Sequence, residues 1–201
     1  TMYLIGLTGN IATGKSAVAK MLAGLGAHVI DADALVHQLQ RRGTPLYAAI
    51  VAEFGASILD ADGEIDRARL GARVFSDPQA LARLEAIVHP VVNQHIDAEI
   101  AALASRNPNA VIVIEAIKLI ETNRHKTCDA LWVVTAPYAV QLERLMRTRG
   151  LTEAQARLRI QAQPPQSEKI ALADVVIDNS RDLEHTRSQV IRHYAALSTT
   201  P

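Results

Sequence analysis

A three-layer α/β fold on a five-stranded parallel sheet is what this sequence predicts, and three observations predict it. Short apolar runs recur at residues 3–7, 27–30, 110–114, 130–135 and 174–177, each of strand length. Between the first two, residues 16–25 carry Val18, Met21, Leu22 and Leu25 at helical spacing. Strand, loop, helix and strand thus fit within about 30 residues, the span of a βαβ unit. The runs are apolar throughout rather than alternating, as in strands covered on both faces by helices.

The elements follow in order. Tyr3-Leu4-Ile5-Gly6-Leu7 reads as a buried strand ending at Thr8. The second run is closed by Asp31-Ala32-Asp33, with a helix expected over 34–40. Residues 38–105 have a different texture and read as a helical insertion within one domain spanning 1–201. Thr44-Pro45 and Asp77-Pro78 each pair a helix cap with a proline at the first helical position. Asp60-Ala61-Asp62-Gly63 is a turn. His89-Pro90 interrupts the apolar pattern of Leu81, Leu84, Val88 and Val91 and is expected to separate two helices. The fourth strand holds the only tryptophan, Trp132. Thr152 and Gln155 form a capping box that opens a helix over 153–163, with Gly150 as the break before it. Residues 198–201 are expected to fray.

Composition narrows the function classes. The chain has 201 residues, 49% hydrophobic and 21% charged, which is ordinary for a globular protein. Lysine plus arginine equals aspartate plus glutamate at 21 each. No overall basic field argues for nucleic acid or an anionic membrane, so any anion site is local. The single cysteine, Cys128, forms no internal disulfide and fits a reducing, cytoplasmic setting. The most apolar stretch, 111–120, is broken by Glu115 and Lys118 and is too short to span a bilayer. No basic segment followed by an apolar stretch opens the chain, so no secretory leader is expected. Thr1, ahead of Met2, reads as an addition and is set aside. A monomer or small homo-oligomer is expected.

One motif carries most of the chemistry. Gly9-Asn10-Ile11-Ala12-Thr13-Gly14-Lys15-Ser16 follows a strand and opens a helix, the context a phosphate-binding P-loop requires. Glycines let backbone amides curl inward without a Cβ in the way. Those amides and the positive helix N-terminus, up to Ala17, surround an anion. Lys15 is expected on the β- and γ-phosphates and the Ser16 hydroxyl on Mg²⁺. The bare pattern arises by chance in roughly one chain of this length in a hundred; the flanking strand and helix make chance a poorer account still.

Asp31 and Asp33 lie at the C-terminal end of the second strand, the edge that faces the ligand crevice in an open parallel sheet. Position alone leaves two readings open: one of them accepts a hydroxyl proton during attack on phosphate, or Asp33 caps the following helix. Arg144, Arg147, Arg149, Arg157 and Arg159 crowd into sixteen residues. They read as a lid over 138–165 or as a solvated helix face paired with Glu143 and Glu153. The upstream P-loop favours the lid, whose guanidinium forks stabilise phosphoryl charge and whose closure excludes water.

The stretches GLTGNIATGKS, VIDAD, EFG, DGEIDR, LEAIVHP and ADVVIDN occur in the order and spacing of dephospho-coenzyme A kinases, and the resemblance runs from residue 4 to about residue 190. It implies a P-loop NTPase fold and a cytoplasmic enzyme. It also implies transfer of the γ-phosphate of ATP, with Mg²⁺, to the ribose 3′-hydroxyl of dephospho-coenzyme A. Asp33 matches the family's proposed base. Lys15 and Ser16 match its phosphate and metal residues, and Asp31 helps shape the acceptor site. Arg67 and His89 match the helical acceptor region, His89 either as a contact or as a helix cap. Arg147 and Arg149 share the lid role between them. Asn179 falls on the adenine-side loop or is a simple strand-end turn. Glu115 matches the acid near the metal. Two departures stand out. Asn10 and Ala12 replace usual glycines. Glu115-Ala116-Ile117-Lys118-Leu119-Ile120-Glu121 replaces a D-x-P-L-L-F-E stretch, losing a proline and adding a methylene to the acid.

Two rivals are weighed. Another P-loop small-molecule kinase, acting on a nucleoside, a sugar or shikimate, shares the loop and lid. A GTP-dependent switch lacks support, because no guanine-reading Asn-Lys-x-Asp motif is present.

Overall fold

Five strands, all parallel, build one sheet in the order β2-β3-β1-β4-β5. They are β1 (Tyr3–Thr8), β2 (His28–Asp31), β3 (Val111–Glu115), β4 (Ala130–Thr135) and β5 (Val175–Asp178). The coordinates, a computed structural model, describe residues 1–197; the fraying expected at 198–201 lies outside the described residues. The helices are α1 (Lys15–Gly24), α2 (Ala32–Leu39), α3 (Pro45–Phe54), α4 (Arg67–Phe75), α5 (Pro78–Arg106), α6 (Tyr138–Arg149), α7 (Glu153–Gln161), α8 (Gln166–Ile170) and α9 (Leu183–Leu197).

The chain forms two compact units. The first comprises Thr1–Asp31 and the chain from Leu103 onward, and it contains the whole sheet. On one face Ile5, Leu7, Val113, Trp132, Val134 and Ile177 pack with Val18, Ala19 and Leu22 of α1 and Val190 of α9. Their alternation with Leu4, Ile112, Ile114, Leu131 and Val133, also buried, shows that β1, β3 and β4 are covered on both sides. The edge strands differ from expectation. In β2 and β5 only Ile30 and Ile177 are fully buried, because an edge strand has one neighbour and a twisted sheet turns its rim toward water.

Register is fixed by one device used twice. Asp129, just before β4, receives the Leu4 amide on its carboxylate at 2.7 Å and donates its own amide to the Leu4 carbonyl at 2.8 Å. Asp174, just before β5, does the same with Leu131, at 2.7 and 2.9 Å. Each aspartate adds a rung to the ladder. Burial, with Asp129 and Asp174 nearby, pushes the Tyr3 phenol above its ordinary value.

The second unit, Ala32–Ala102, is helical. Thr44 caps α3, accepting the Tyr47 amide at 3.1 Å with Pro45 at the first helical position. Asp77 accepts the Gln79 and Ala80 amides at the start of α5. Residues 60–63 form the expected turn, closed from Gly63 to Asp60 and followed by a Leu59–Ile65 bridge. Two expectations are corrected here. Pro90 does not separate two helices but lies inside α5. Ala80, Val88, Val92 and Ile96 are buried along one stripe of α5, with Leu84 half-buried between the first two, whereas Pro90 is exposed. Packing along that stripe offsets a lost hydrogen bond whose carbonyl water can satisfy. His89, mid-helix, therefore caps nothing. The helix after β2 begins at Ala32, so Asp33 is in its first turn rather than at the cap, where a carboxylate favours the positive helix end.

Replacing Asp129 or Asp174 by alanine is expected to cost about 1–2 kcal/mol each, the range of a charge-assisted hydrogen bond near the surface. Urea unfolding checks this; two variants with wild-type midpoints would remove these aspartates from the account of register.

Candidate active site

The loop between β1 and α1 is held by its carbonyls. The Asn10 carbonyl accepts the Thr13 hydroxyl at 2.9 Å. The Ile11 carbonyl accepts the Gln141 amide at 2.7 Å. Arg144 Nη1 donates to the Ala12 and Thr13 carbonyls at 3.2 and 3.1 Å, and Asn179 Nδ2 donates to Thr13 at 2.7 Å. The Gly14 carbonyl takes the Ala17 and Val18 amides. The amides of Ala12, Gly14, Lys15 and Ser16 have no acceptor among the described residues. A loop whose carbonyls are claimed from outside and whose amides are left over, at a helix N-terminus, is built for an anion.

Two glycines are sterically required. A Cβ on Gly14, whose φ is +94°, would lie 2.0 Å from Asn179 Nδ2. One on Gly9 would lie 2.6 Å from the Val134 carbonyl oxygen. The left-handed burden between them falls on Ala12 (φ 58°), not on Asn10. Asn10 instead donates Nδ2 to the Pro164 carbonyl at 2.8 Å, and Ile11 donates its amide to Gln163 Oε1 at 2.6 Å.

Glu115, at the end of β3, is the acid of the site. It is 4% exposed. Its Oε1 accepts from Lys15 Nζ at 2.9 Å and from Ser16 Oγ at 2.8 Å. Parallel pairing of Leu7 with Glu115 brings the β3 end beside the start of the loop. The segment that lacks a proline is pinned by hydrogen bonds instead: the Ile117 carbonyl receives Thr8 Oγ1 at 3.1 Å and the buried Lys169 Nζ at 2.8 Å. Two hard oxygen donors, Ser16 Oγ and Glu115 Oε1, lie 2.8 Å apart, and both are of the type that suits Mg²⁺. Among the described residues no cluster of three His, Cys, Asp or Glu side chains forms a metal cage. The donor set thus fits an ion that completes its shell with phosphate oxygens and water.

The other expected residues are placed as follows. Asp31 ends β2, level in register with Glu115. Asp33, Arg67 and His89 lie in the second unit, on α2, α4 and α5. Arg147 and Arg149 are exposed; Arg147 faces Glu143 at 3.8 Å, so neither is brought to the loop. Asn179 is brought to it, but as a strut: with Nδ2 on Thr13, its Oδ1 accepts Thr186 Oγ1 at 2.7 Å, and the side chain is buried.

The resemblance gives the lid role to Arg147 and Arg149, yet Arg144 is the arginine that grips the loop, with a third bond to the Asn179 carbonyl at 2.9 Å. Burial and the adjacent Arg147 lower its pKa from the ordinary value. Helical phase held the missed signal: the buried face of α6 is Gln141 and Leu145, and Arg144 lies on it, whereas Arg147 falls well off it. Gln141, Gln163 and Gln166 were missed as well. Gln166 ties Gln141 to the Ala136 carbonyl, and neutral amides give no pattern in composition or charge.

Arg144→Ala is expected to weaken ATP binding about tenfold or more, since hydrogen bonds from a charged group contribute roughly 1.5–3 kcal/mol. Arg144→Lys recovers only part, because an ammonium lacks the planar fork. Calorimetric titration with ATP checks this; wild-type affinity in Arg144→Ala would show that the loop keeps its shape unaided.

Comparison with known proteins agrees with this geometry. Residues 3–185 match the sequence profile of the family described as dephospho-CoA kinase. The dephospho-CoA kinase of Aquifex aeolicus is 42% identical over 200 residues, covering all of both chains. A crystal structure of a Thermus thermophilus protein superposes with a TM-score of 0.86 at 30% identity, covering 98% of each chain. The dephospho-CoA kinase from Campylobacter jejuni gives 0.71 at 26% identity, again over 98% of each. The chain belongs to the dephospho-CoA kinase family.

Proposed function

We propose that this chain transfers the γ-phosphate of ATP to the ribose 3′-hydroxyl of dephospho-CoA, giving CoA and ADP. The observation that carries the reading is the convergence of Lys15 and Ser16 on buried Glu115, beside a loop with four unclaimed amides. ATP's polyphosphate takes those amides, and Lys15 exchanges part of its ion pair with Glu115 for phosphoryl oxygens. Ser16 and Glu115 would hold Mg²⁺, which would neutralise charge on the phosphate oxygens.

Asp33 accepts the proton of the 3′-hydroxyl as that oxygen attacks the γ-phosphorus. The bond from phosphorus to the β,γ-bridging oxygen breaks, and ADP leaves. Lys15 stabilises the charge that spreads over the transferring group in a loose transition state. Asp31, Arg67 and His89 bind the acceptor, within a helical insertion over 38–105. Residues 138–165 act as a lid on which Arg147, whose pair with Glu143 is long and exposed, and Arg149 reach phosphate, Arg144 being spent on the loop. Among the described residues no helix is long and apolar enough to cross a membrane.

The test is direct: incubation with ATP, Mg²⁺ and dephospho-CoA should yield a product heavier by one phosphoryl group, identified as CoA by mass. Unchanged acceptor would refute the reading. Asp33→Asn should bind ATP normally while turnover falls about 10²–10⁴-fold, the usual share of a general base; wild-type turnover would remove Asp33 as base. Lys15→Ala should slow transfer about 10²–10³-fold, as for loss of one electrostatic contact, measured in single turnover so that binding and chemistry separate. A mild effect would assign the role to another cation.

A further inference from the structure

Two charged side chains are buried among the described residues, Glu115 and Lys169, each 4% exposed. Glu115 is the acid of the site. Lys169, on α8, lies outside the phosphate loop. Burying an ammonium is costly unless its hydrogen bonds are made. Its ion pair offsets little of that cost, because Glu121 is exposed and the pair is 3.2 Å long. Its shorter bond, at 2.8 Å, goes to the Ile117 carbonyl. The ammonium is placed for a carbonyl more than for a charge.

That carbonyl is a junction. Thr8, the last residue of β1, donates Oγ1 to it at 3.1 Å, and Gly9 of the loop comes next in the chain. Glu115 lies two residues before Ile117. The Ala116 amide still reaches the Leu7 carbonyl of β1 at 3.1 Å, but at Ile117 the chain has left the sheet and turns. The helix that carries Lys169 is itself anchored, since Gln166 donates Nε2 to the Ala136 carbonyl at 2.8 Å and accepts the Ala136 amide at 3.2 Å. We propose that Lys169 is a positioning residue for the metal site. By holding the Ile117 carbonyl from α8 it sets the direction in which the chain leaves β3, and so keeps Glu115 Oε1 on Ser16 and Lys15. It acts through Glu115, as groups behind a metal ligand do, and not on the nucleotide. The inference rests on the ATP and Mg²⁺ half of the proposed function and is independent of the acceptor.

The experiment is calorimetric titration with ATP, in Mg²⁺ and in EDTA, with no acceptor present. The proteins are wild type, Lys169→Met, Glu121→Gln and Gln163→Ala. Methionine keeps an unbranched stem and removes the ammonium, while Glu121, being exposed, stays hydrated without its partner. Wild type should bind ATP more tightly in Mg²⁺ than in EDTA. Lys169→Met should lose about tenfold in affinity in Mg²⁺ and less than about twofold in EDTA, where the loop amides act alone. Glu121→Gln leaves the Ile117 bond intact and should match wild type in both. Gln163→Ala removes the acceptor of the Ile11 amide and should weaken binding equally in both. A loss in Lys169→Met that is equal in Mg²⁺ and EDTA, or no loss in either, overturns the inference. So does the same loss in Glu121→Gln, which would assign the effect to the charge pair, or a Mg²⁺-selective loss in Gln163→Ala. If wild type gains nothing from Mg²⁺, the metal assignment of Ser16 and Glu115 fails and the role of Lys169 with it. Should Lys169→Met unfold, Thr8→Val removes the other bond to the same carbonyl and should show the Mg²⁺-selective loss; an equal loss in EDTA would overturn the inference there too.

Discussion

The site depends on where the carbonyls of residues 10–14 go. Backbone polarity is conserved: a loop cannot turn its amides toward an anion without turning its carbonyls away, and each buried carbonyl needs a donor. Here Gln141 and Arg144 of α6 and Asn179, just after β5, supply the donors. The residues that make the anion site work are thus mostly behind it. Arg144 contributes most, since one guanidinium satisfies three carbonyls in its fixed plane. A permanent cation behind the loop also adds to the positive potential that the amides and the α1 terminus already create.

Glu115 solves a second problem in a chain of zero net charge. A cradle of amides, a lysine and a helix terminus is strongly electropositive, and Lys15 is largely buried. Without a partner its desolvation would be costly. One carboxylate at the β3 end balances the lysine and engages the Ser16 hydroxyl through the same oxygen. Glutamate at this position reaches both Lys15 and Ser16, and the segment after it is anchored. Thr8 and Lys169 both bind the Ile117 carbonyl, and Lys169 reaches Glu121 at 3.2 Å as well. Hydrogen bonds do here what a proline would do by restricting the backbone.

How much of this the sequence discloses follows from the range of each interaction. The P-loop is legible because its requirements are local: glycines where a Cβ would collide, lysine and serine at the helix start. The three central strands are legible because burial on both faces leaves a continuous apolar run. The edges are not, since β2 and β5 have similar composition and only their place in the sheet decides their exposure. Pro90 misleads because a local rule, the proline break, competes with a stripe spaced by four residues that runs through it. Arg144, Asn179 and Gln141 act across 35 to 166 residues of chain. No local pattern reports such contacts; only the phase of α6 hints at one.

Ala12 shows how these layers combine. An alanine at φ 58° is disfavoured by about 1–2 kcal/mol, and glycine would relieve most of it. Yet alanine also lowers the freedom of the unfolded chain, which returns about 0.4–1 kcal/mol. The remainder is small beside the bonds that hold the residues on either side: Ile11 through Gln141 and Gln163, Thr13 through Arg144 and Asn179. The left-handed turn is therefore imposed from outside by the clamp rather than chosen by the residue. A loop held this way needs no glycine at every sharp turn. That is why the departures at Asn10 and Ala12 leave its donors in place, while Gly9 and Gly14, where a side chain would strike backbone or Asn179, remain indispensable.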